Sequence, residues 1–409
     1  MEKKEKEIQE NILKSYEEPT LIGLNNIGAS CYINSILQCL SQTPPLVNYF
    51  LNDSNKGEIM NNNINKENEN KPQISPVFLK LIKILWDKNK KGSSFSPYDF
   101  METIEKINPL LKKGSVAKSR DFFIIIIEQI HKELNKPINF QSQAFNLPLN
   151  QYDRNNAFEF FIKDAQKECS IISDNFYGIN QTTNICLYCK NLFSSKGQNY
   201  PIAYNYGIFN CIIFPLPEVK SFANNYRSNI DNQINQNNSV TLNDCFCYNQ
   251  QTETFTGDNA NYCNICKKLN DSEYTFRIYL SPNILILILD RGKNNEYKIR
   301  VEFTETLDIT QFVIEKDRPQ IIYNLYGVIA YVSKMTQILI ILAFVKVLLI
   351  INGINIMIQL LALLKMFKKK LLILILQIYY FIIKSKKFKI IIDRSNCNQT
   401  PLNIYKKEY

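Results

Sequence analysis

The sequence predicts an α+β protein in which helices come first, strands follow, and a C-terminal tail has a different character. The segments Val77–Trp86 and Asp121–Leu134 have the apolar spacing of amphipathic helices. The segments Asn199–Pro217 and Tyr274–Asp290 are rich in residues that favour strands. Two Cys-x-x-Cys pairs lie among the strand-rich segments, which is typical of a β-rich region held by a metal.

Charge is distributed unevenly along the 409 residues. The net charge is +10, but the segment from Thr336 to the end holds 12 Lys/Arg against 2 Asp/Glu. The first 335 residues are therefore neutral overall. A segment without net positive charge argues against binding of nucleic acid.

Cysteine usage indicates a reducing compartment. The chain has eleven cysteines and one histidine, His131. The N-terminus is a Lys/Glu run without the apolar core of a secretory signal. We therefore expect a cytoplasmic or nuclear protein whose cysteines are catalytic, metal-binding or buried.

Further segments are assigned by composition. Pro97–Ile107 follows a Ser-Pro cap signal and predicts a helix. Arg300–Val328 predicts two or three more strands. Asn52–Lys71 and Phe222–Val240 are dense in Asn and predict exposed loops.

The segment 23–35 (GLNNIGASCYINS) has the composition of a thiol active site. Its loop leads to Cys31 at the start of a predicted helix, Tyr32–Leu40, and a helix N-terminus stabilises a thiolate. The Asn26 amide and the Cys31 backbone N–H are candidate donors to an oxyanion. Alternatively, Cys31 is a small buried residue, which is the reading we favour for Cys39.

The pairs Cys186/Cys189 and Cys263/Cys266 predict a zinc site. Each pair can place two thiolates on one Zn²⁺, and the two pairs complete a tetrahedral site of four cysteines. The alternative is that both pairs are degenerate and hold no metal. Cys245 and Cys247 are competing candidate ligands.

The segment 23–35, with Gln38 and Leu40, resembles the cysteine box of the ubiquitin-specific proteases. The segments 119–134, 281–287 and 323–329 are similar to later motifs of that family. The resemblance extends from about Leu21 to Val332.

This resemblance implies a papain-like cysteine peptidase fold with a thumb, a palm and zinc-bearing β fingers. The thumb would cover about 19–170 and the fingers and palm about 171–334, after a charged lead-in at 1–18. The implied activity is thiol-dependent hydrolysis of isopeptide and peptide bonds at the ubiquitin C-terminus. The implied partners are ubiquitin and ubiquitinated proteins.

The family's histidine box and its Asn/Asp motif are missing after Val332. His131 is the only histidine, and it stands where the family carries a structural histidine. We therefore expect impaired catalysis, because the base that activates Cys31 is absent. The alternative is a catalytically inactive ubiquitin-binding pseudo-protease.

The tail, 335–409, is apolar and basic, and two explanations are open. Ile338–Leu364 is long enough to span a bilayer, so the tail is either a genuine membrane anchor or the product of a reading-frame slip near Lys334–Gln337. The shifted frame permits Trp-x-x-Tyr-Asn-Asp-Ser over 352–359 and a histidine at 340–341. These are the missing motifs in the right order, so a frame slip is the favoured hypothesis and a membrane association is not expected.

The frame-slip hypothesis makes a prediction about the transcript. We expect sequencing across codons 330–345 to reveal one nucleotide gained or lost relative to the frame that encodes this tail. An uninterrupted frame that encodes the tail as written would remove the hypothesis.

Overall fold

The computed structural model describes most of the chain up to Ser333 and two short strands beyond it. The described residues are 22–28, 30–60, 71–87, 89, 92–111, 119–136, 161, 163–164, 168–230, 239–292, 298–314, 320–333, 339–345 and 376–384. The predicted lead-in at 1–18 lies outside them.

Helices dominate the first part of the described chain, as the sequence predicts. The helices are α1 (Cys31–Ser41), α2 (Pro44–Leu51), α3 (Lys56–Met60), α4 (Ile74–Leu85), α5 (Tyr98–Ile107), α6 (Ser119–Leu134), α7 (Ser173–Phe176), α8 (Leu187–Ser194), α9 (Leu216–Ile230) and α10 (Leu242–Asn249).

Strands dominate the second part. They are β1 (Gly23–Leu24), β2 (Ser94–Phe95), β3 (Gly178–Cys186), β4 (Ala203–Phe209), β5 (Ile212–Pro215), β6 (Ser239–Thr241), β7 (Thr252–Phe255), β8 (Asn261–Cys263), β9 (Lys268–Asn270), β10 (Ser272–Leu280), β11 (Ile284–Asp290), β12 (Arg300–Glu302), β13 (Thr306–Asp308), β14 (Ile322–Ser333), β15 (Leu339–Val345) and β16 (Leu376–Lys384).

Two larger sheets organise these strands. One is four-stranded and antiparallel in the order β4-β3-β10-β7, and the other has the order β13-β14-β16-β11-β5 with β15 also paired to β14. The pair β8-β9 forms a separate antiparallel hairpin. Only three residues separate β10 from β11, so one continuous stretch of chain joins the two sheets.

Helix α1 is held inside the helical layer by contacts from two neighbouring helices. The rings of Tyr32 and Phe122 on α6 meet edge to face at 5.7 Å between centroids. The indole of Trp86, which follows α4, donates a 2.8 Å hydrogen bond to the carbonyl of Ser41 at the end of α1. Since α1 begins with Cys31, these contacts fix the direction in which the helix presents that thiol.

The strand β11 has two buried faces. Ile284, Ile286 and Ile288 pack into a core shared with the helical layer. Leu285, Leu287 and Leu289 pack into a second core that includes residues of α9 and α10. Because side chains alternate along a strand, the sequence ILILIL supplies an apolar side chain to both cores at every position.

A buried hydrogen bond also connects the sheet to the helical layer. The hydroxyl of Tyr326 on β14 lies 2.8 Å from the hydroxyl of Thr43, between α1 and α2. The Thr43 hydroxyl donates to the carbonyl of Cys39, so the Tyr326 hydroxyl is the donor of the pair. Burial raises the pKa of Tyr326, which keeps this hydroxyl protonated.

Two of the predicted loops are partly helical. In Asn52–Lys71, the Asn52 side chain accepts the backbone N–H of Ser54, and α3 follows with Ile59 fully buried. In Phe222–Val240, α9 continues to Ile230. The high Asn content hid the apolar positions that anchor each helix, so the prediction of loops there was wrong; 61–70 and 231–238 lie outside the described residues.

The tail contributes two strands to the described structure. Both β15 and β16 pair antiparallel with β14, and β16 lies between β14 and β11. Within the described residues, no helix combines the length and apolar character that a bilayer crossing requires. Residues 346–375, which contain most of the predicted Ile338–Leu364 span, lie outside the described part.

Because both faces of β11 are buried, shortening one of its side chains should lower the free energy of unfolding substantially. We expect Leu287→Ala, at a fully buried position, to lower the free energy of unfolding by about 3 kcal/mol because it leaves a cavity between packed layers. Urea unfolding followed by circular dichroism measures this change. Ile213→Ala on the neighbouring strand β5, where the side chain is 39% exposed, is the control and should cost under about 1 kcal/mol. Equal effects at both positions would contradict the assignment of β11 to the centre of the core.

Candidate cysteine active site and metal centre

Cys31 is the first residue of α1, as the sequence predicts. Ser30 is the residue before the helix, and its carbonyl accepts the first helical hydrogen bond, from the Asn34 N–H at 2.9 Å. The Cys31 side chain is partly exposed. The thiol therefore lies where the unpaired N–H groups and the dipole of an eleven-residue helix favour a negative charge.

Cys39 contrasts with Cys31 on the same helix. It is fully buried, and burial raises the pKa of its thiol. A buried protonated thiol is a poor nucleophile. The geometry thus agrees with the prediction that Cys39 belongs to the core.

The loop before Cys31 is bonded to the helix that it precedes. The Asn34 side-chain amide donates to the carbonyls of Asn25 at 2.9 Å and Leu24 at 3.4 Å. The Gln38 amide donates to the carbonyl of Ile22 at 3.0 Å. The sequence marked Gln38 and the segment containing Asn34 as parts of a motif, but it did not reveal that their amides anchor the loop.

A turn inside this loop brings Asn26 back to Ser30. Gly28 has φ +98°, a backbone conformation that side chains with a Cβ rarely adopt. The Asn26 Oδ1 atom accepts the Ser30 N–H at 3.0 Å and the Ser30 hydroxyl at 3.2 Å. The structure therefore folds the predicted site residue Asn26 back onto Ser30, the residue directly before Cys31.

His131 is bonded at both ring nitrogens, near the end of α6. Its Nδ1 lies 2.7 Å from the Ser170 hydroxyl and its Nε2 lies 2.5 Å from a Glu168 carboxylate oxygen. The residue is 6% exposed, and its ring centroid lies 5.1 Å from that of Tyr177. Neither ring nitrogen is left to serve as a base, which fits the structural role that the sequence suggested.

The four predicted metal ligands come together at the hairpin β8-β9. Cys186 ends β3, Cys189 lies in α8, Cys263 ends β8 and Cys266 lies in the following turn. Their sulfur atoms all lie within 4.8 Å of one another. The Cys186–Cys266 and Cys189–Cys263 sulfur distances are 3.9 and 3.7 Å.

These distances fit a tetrahedral zinc ion. Four sulfur atoms at a Zn–S distance of about 2.3 Å are separated by roughly 3.8 Å, whereas a disulfide requires about 2 Å. Cys263 and Cys266 would hold the ion from one side and Cys186 and Cys189 from the other. Zn²⁺ in this position would supply a cross-link between β3 and the hairpin and no chemistry to the thiol site.

The surroundings act differently on the thiols of this cluster, and burial raises the pKa of Cys186 and Cys189. The Asn270 amide donates to Cys266 Sγ at 3.1 Å. Burial acts to raise the pKa of Cys263, but hydrogen bonds from the backbone N–H groups of Cys266 and Ile265 prevail and lower it to about 7. Lys267 adopts φ +57°, which turns the chain sharply after the second ligand pair.

Cys245 and Cys247 do not join the cluster among the described residues. Cys245 is fully buried on α10 in the second core, and Cys247 lies on the same helix. Burial raises the pKa of the Cys245 thiol to about 12. Both are therefore core or surface thiols in this fold, not competing ligands.

Comparison with protein families gives one assignment across most of the chain. The family model described as ubiquitin carboxyl-terminal hydrolase matches residues 22–336. Ubiquitin carboxyl-terminal hydrolase 4 of Saccharomyces cerevisiae is 26% identical over 312 residues, which cover 73% of this chain and 30% of the relative. Ubiquitin carboxyl-terminal hydrolase 15 of Xenopus tropicalis is 31% identical over 212 residues, which cover 51% of this chain and 20% of the relative.

Solved structures show the same fold. The SAGA DUB module Ubp8/Sgf11/Sus1/Sgf73 bound to monoubiquitin matches with a TM-score of 0.56 at 18% identity, covering 90% of this chain and 69% of that chain. The same module bound to ubiquitin aldehyde matches with a TM-score of 0.55 at 18% identity, covering 91% and 71%. The predicted α+β, papain-like fold with a four-cysteine cluster is confirmed. The chain spans less than a third of the length of the curated relatives named above.

The sulfur cluster predicts that the purified chain holds about one zinc ion. We expect Cys263→Ser to lower the zinc content and the melting temperature, because three thiolates bind zinc more weakly than four. Cys247→Ser is the matched control and should retain the ion. Elemental analysis of both variants measures the zinc content. An unchanged zinc content in Cys263→Ser would show that this cluster is not the metal site.

Proposed function

The chain belongs to the ubiquitin carboxyl-terminal hydrolase family, and we propose that it is a cysteine-type deubiquitinase domain that binds ubiquitin and ubiquitinated proteins. The observation that carries the proposal is the placement of Cys31 at the N-terminus of α1, with Asn26 in the preceding turn. Two similar solved structures are bound to monoubiquitin or ubiquitin aldehyde. The free thiols and thiolate cluster suit a cytoplasmic or nuclear protein.

The reaction requires three steps at the ubiquitin C-terminus. The Cys31 thiolate attacks the last carbonyl carbon, and a C–S bond forms as the carbonyl oxygen takes up negative charge. The Asn26 amide and the Cys31 N–H donate hydrogen bonds to that oxygen. The C–N bond then breaks and the leaving amine takes a proton, after which water hydrolyses the thioester and releases ubiquitin.

The described residues supply the nucleophile and the oxyanion donors but no base. Proton transfer to the amine and from water normally falls to a histidine, and His131 is committed to Ser170 and Glu168. General acid–base catalysis contributes about 10²- to 10⁴-fold to a rate. We therefore propose that turnover by this chain is impaired because the catalytic His and Asn/Asp are absent.

A frame slip at the start of the tail explains the missing base. Translation of an AT-rich gene out of frame yields Ile, Leu, Phe, Tyr and Lys, and most of these favour strands. Pairing of β15 and β16 with β14 is therefore no evidence that the tail is genuine. If the tail is genuine, the protein is a ubiquitin-binding pseudo-protease with an intact thiol.

Ubiquitin that carries an electrophile at its C-terminus tests ubiquitin binding and the reactivity of the Cys31 thiol without requiring catalytic turnover. We expect ubiquitin with a C-terminal vinyl ester to form a covalent adduct at Cys31, because addition to this group requires no protonated leaving group. Cys31→Ser should abolish the adduct, and Cys211→Ser, another partly exposed thiol, should retain it. Gel shift and peptide mass spectrometry measure both outcomes.

Turnover is measured on a ubiquitin C-terminal amide. We expect it to be roughly 10²- to 10⁴-fold slower than for a chain translated from a frame-corrected gene. Absence of any adduct in the wild-type chain would refute the proposed function. Turnover at the rate of the frame-corrected chain would instead refute the impairment.

A further inference from the structure

We propose that Ser30 and Asn34 are positioning residues that lock the Asn26 side-chain amide with its N–H groups free to donate to the substrate oxygen. The inference rests on the proposed function and deepens it. It assigns a task to two side chains that do not themselves touch the reacting atoms in the mechanism above. It predicts that the oxyanion donor is preformed before ubiquitin binds.

The direction of the Ser30 hydroxyl is fixed by its neighbours. The Ser30 Oγ atom accepts a hydrogen bond from the Ile27 N–H at 3.0 Å. The Asn26 Oδ1 atom lies 3.2 Å from the same hydroxyl oxygen and cannot donate. The single hydroxyl proton of Ser30 must therefore point to Asn26 Oδ1.

The orientation of the Asn26 amide follows from the same contacts. Its Oδ1 faces the Ser30 backbone N–H at 3.0 Å as well as the hydroxyl. A backbone N–H can only donate, so the oxygen of the amide must face Ser30 and the NH₂ group must face away from it. The described residues offer this NH₂ group no acceptor, and the Asn26 side chain is exposed. The alternative flip of the amide would place two donors against each other.

Asn34 fixes the backbone that carries Asn26. Its amide nitrogen donates to the carbonyls of Asn25 and Leu24, so both of its protons hold the residues directly before Asn26. The Asn34 Oδ1 atom is buried and accepts no hydrogen bond from the described residues. A buried carbonyl without a donor is unfavourable. The Asn34 side chain therefore contributes through its two N–H donors and not through its oxygen.

Together these contacts remove the freedom that an exposed Asn side chain would otherwise have. Ser30 fixes the side-chain rotation of Asn26, and Asn34 fixes its backbone. Preformed donors stabilise developing charge without reorganisation at the moment of reaction. Loss of either contact should therefore weaken stabilisation of the tetrahedral adduct while leaving the thiol and the ubiquitin-binding surfaces in place.

Two probes of Cys31 distinguish this role from a general structural one. Ubiquitin aldehyde adds to the thiol as the C–S bond forms, and the carbonyl oxygen of the aldehyde becomes a hydroxyl group that takes up the thiol proton. Iodoacetamide alkylates the thiolate by displacing iodide and creates no oxyanion. A donor to the former carbonyl oxygen therefore affects the first reaction and not the second.

The test uses the full chain with Ser30→Ala. We expect its affinity for ubiquitin aldehyde to fall about tenfold, in line with loss of one hydrogen bond that orients the Asn26 amide. Iodoacetamide alkylation of Cys31, followed by peptide mass spectrometry, should be unchanged, as should binding of unmodified ubiquitin. Ser30→Thr should restore the affinity, because it retains the hydroxyl. Ser41→Ala is the matched control, since its hydroxyl donates to the Gln38 carbonyl at the other end of α1.

A double-mutant cycle decides whether Ser30 acts through Asn26. In an Asn26→Ala background, Ser30→Ala and Asn34→Ala should cause no further loss of aldehyde affinity. Additive losses would overturn the proposal, as would equal losses with aldehyde and iodoacetamide or an unchanged aldehyde affinity in Ser30→Ala. A wild-type chain that forms no aldehyde adduct at all contradicts the proposed function itself, and the positioning role falls with it.

Discussion

The fold depends on the burial of both faces of β11 between two apolar cores. Its isoleucines contact the helical layer and its leucines contact the layer formed with α9 and α10. A shift of one residue would exchange the two faces, yet both would remain apolar, so hydrophobicity alone does not set the register. The turn before the strand supplies that information. The Tyr323 hydroxyl donates to the Pro282 carbonyl at 2.5 Å, and the Asn283 amide donates to the Asp174 carbonyl at 2.9 Å.

The metal centre and the thiol lie on parts of the chain that meet through this strand. Cys186 is the last residue of β3, and it pairs with Ser272, the first residue of β10. The chain continues through β10 and a three-residue turn into β11, whose isoleucines share a core with α1. A zinc cross-link at the hairpin would thus stabilise the far end of the sheet that leads to α1, the helix that begins at Cys31.

The sequence predicted the features that depend on local pattern. The helices α4, α5 and α6, the start of α1 at Cys31 and the four-cysteine cluster all follow from spacing that a single segment displays. It did not predict α9, because Asn-rich composition obscured the apolar positions Val219 and Ala223 that the second core buries. The hydrogen bonds of the Asn34 amide and the Ser30 hydroxyl were also missed, because the partners of a polar side chain depend on a turn geometry that composition does not encode. Glu133, whose carboxylate accepts the first two N–H groups of α4, was missed for the same reason.

The arrangement around His131 explains why the thiol site cannot recruit the one histidine of the chain. Both ring nitrogens are occupied, so turning the ring toward Cys31 would leave the Ser170 hydroxyl and the Glu168 carboxylate without their shared partner. Burial, and after it the nearby carboxylates of Glu128 and Glu168, raise the pKa of Tyr177, which lies beside the His131 ring, to about 12. Loss of the imidazole would take a hydrogen-bond partner from the buried Ser170 hydroxyl, which makes the rearrangement unfavourable. The one imidazole of the chain therefore holds Ser170 and Glu168 together and is not available to take the proton of the Cys31 thiol.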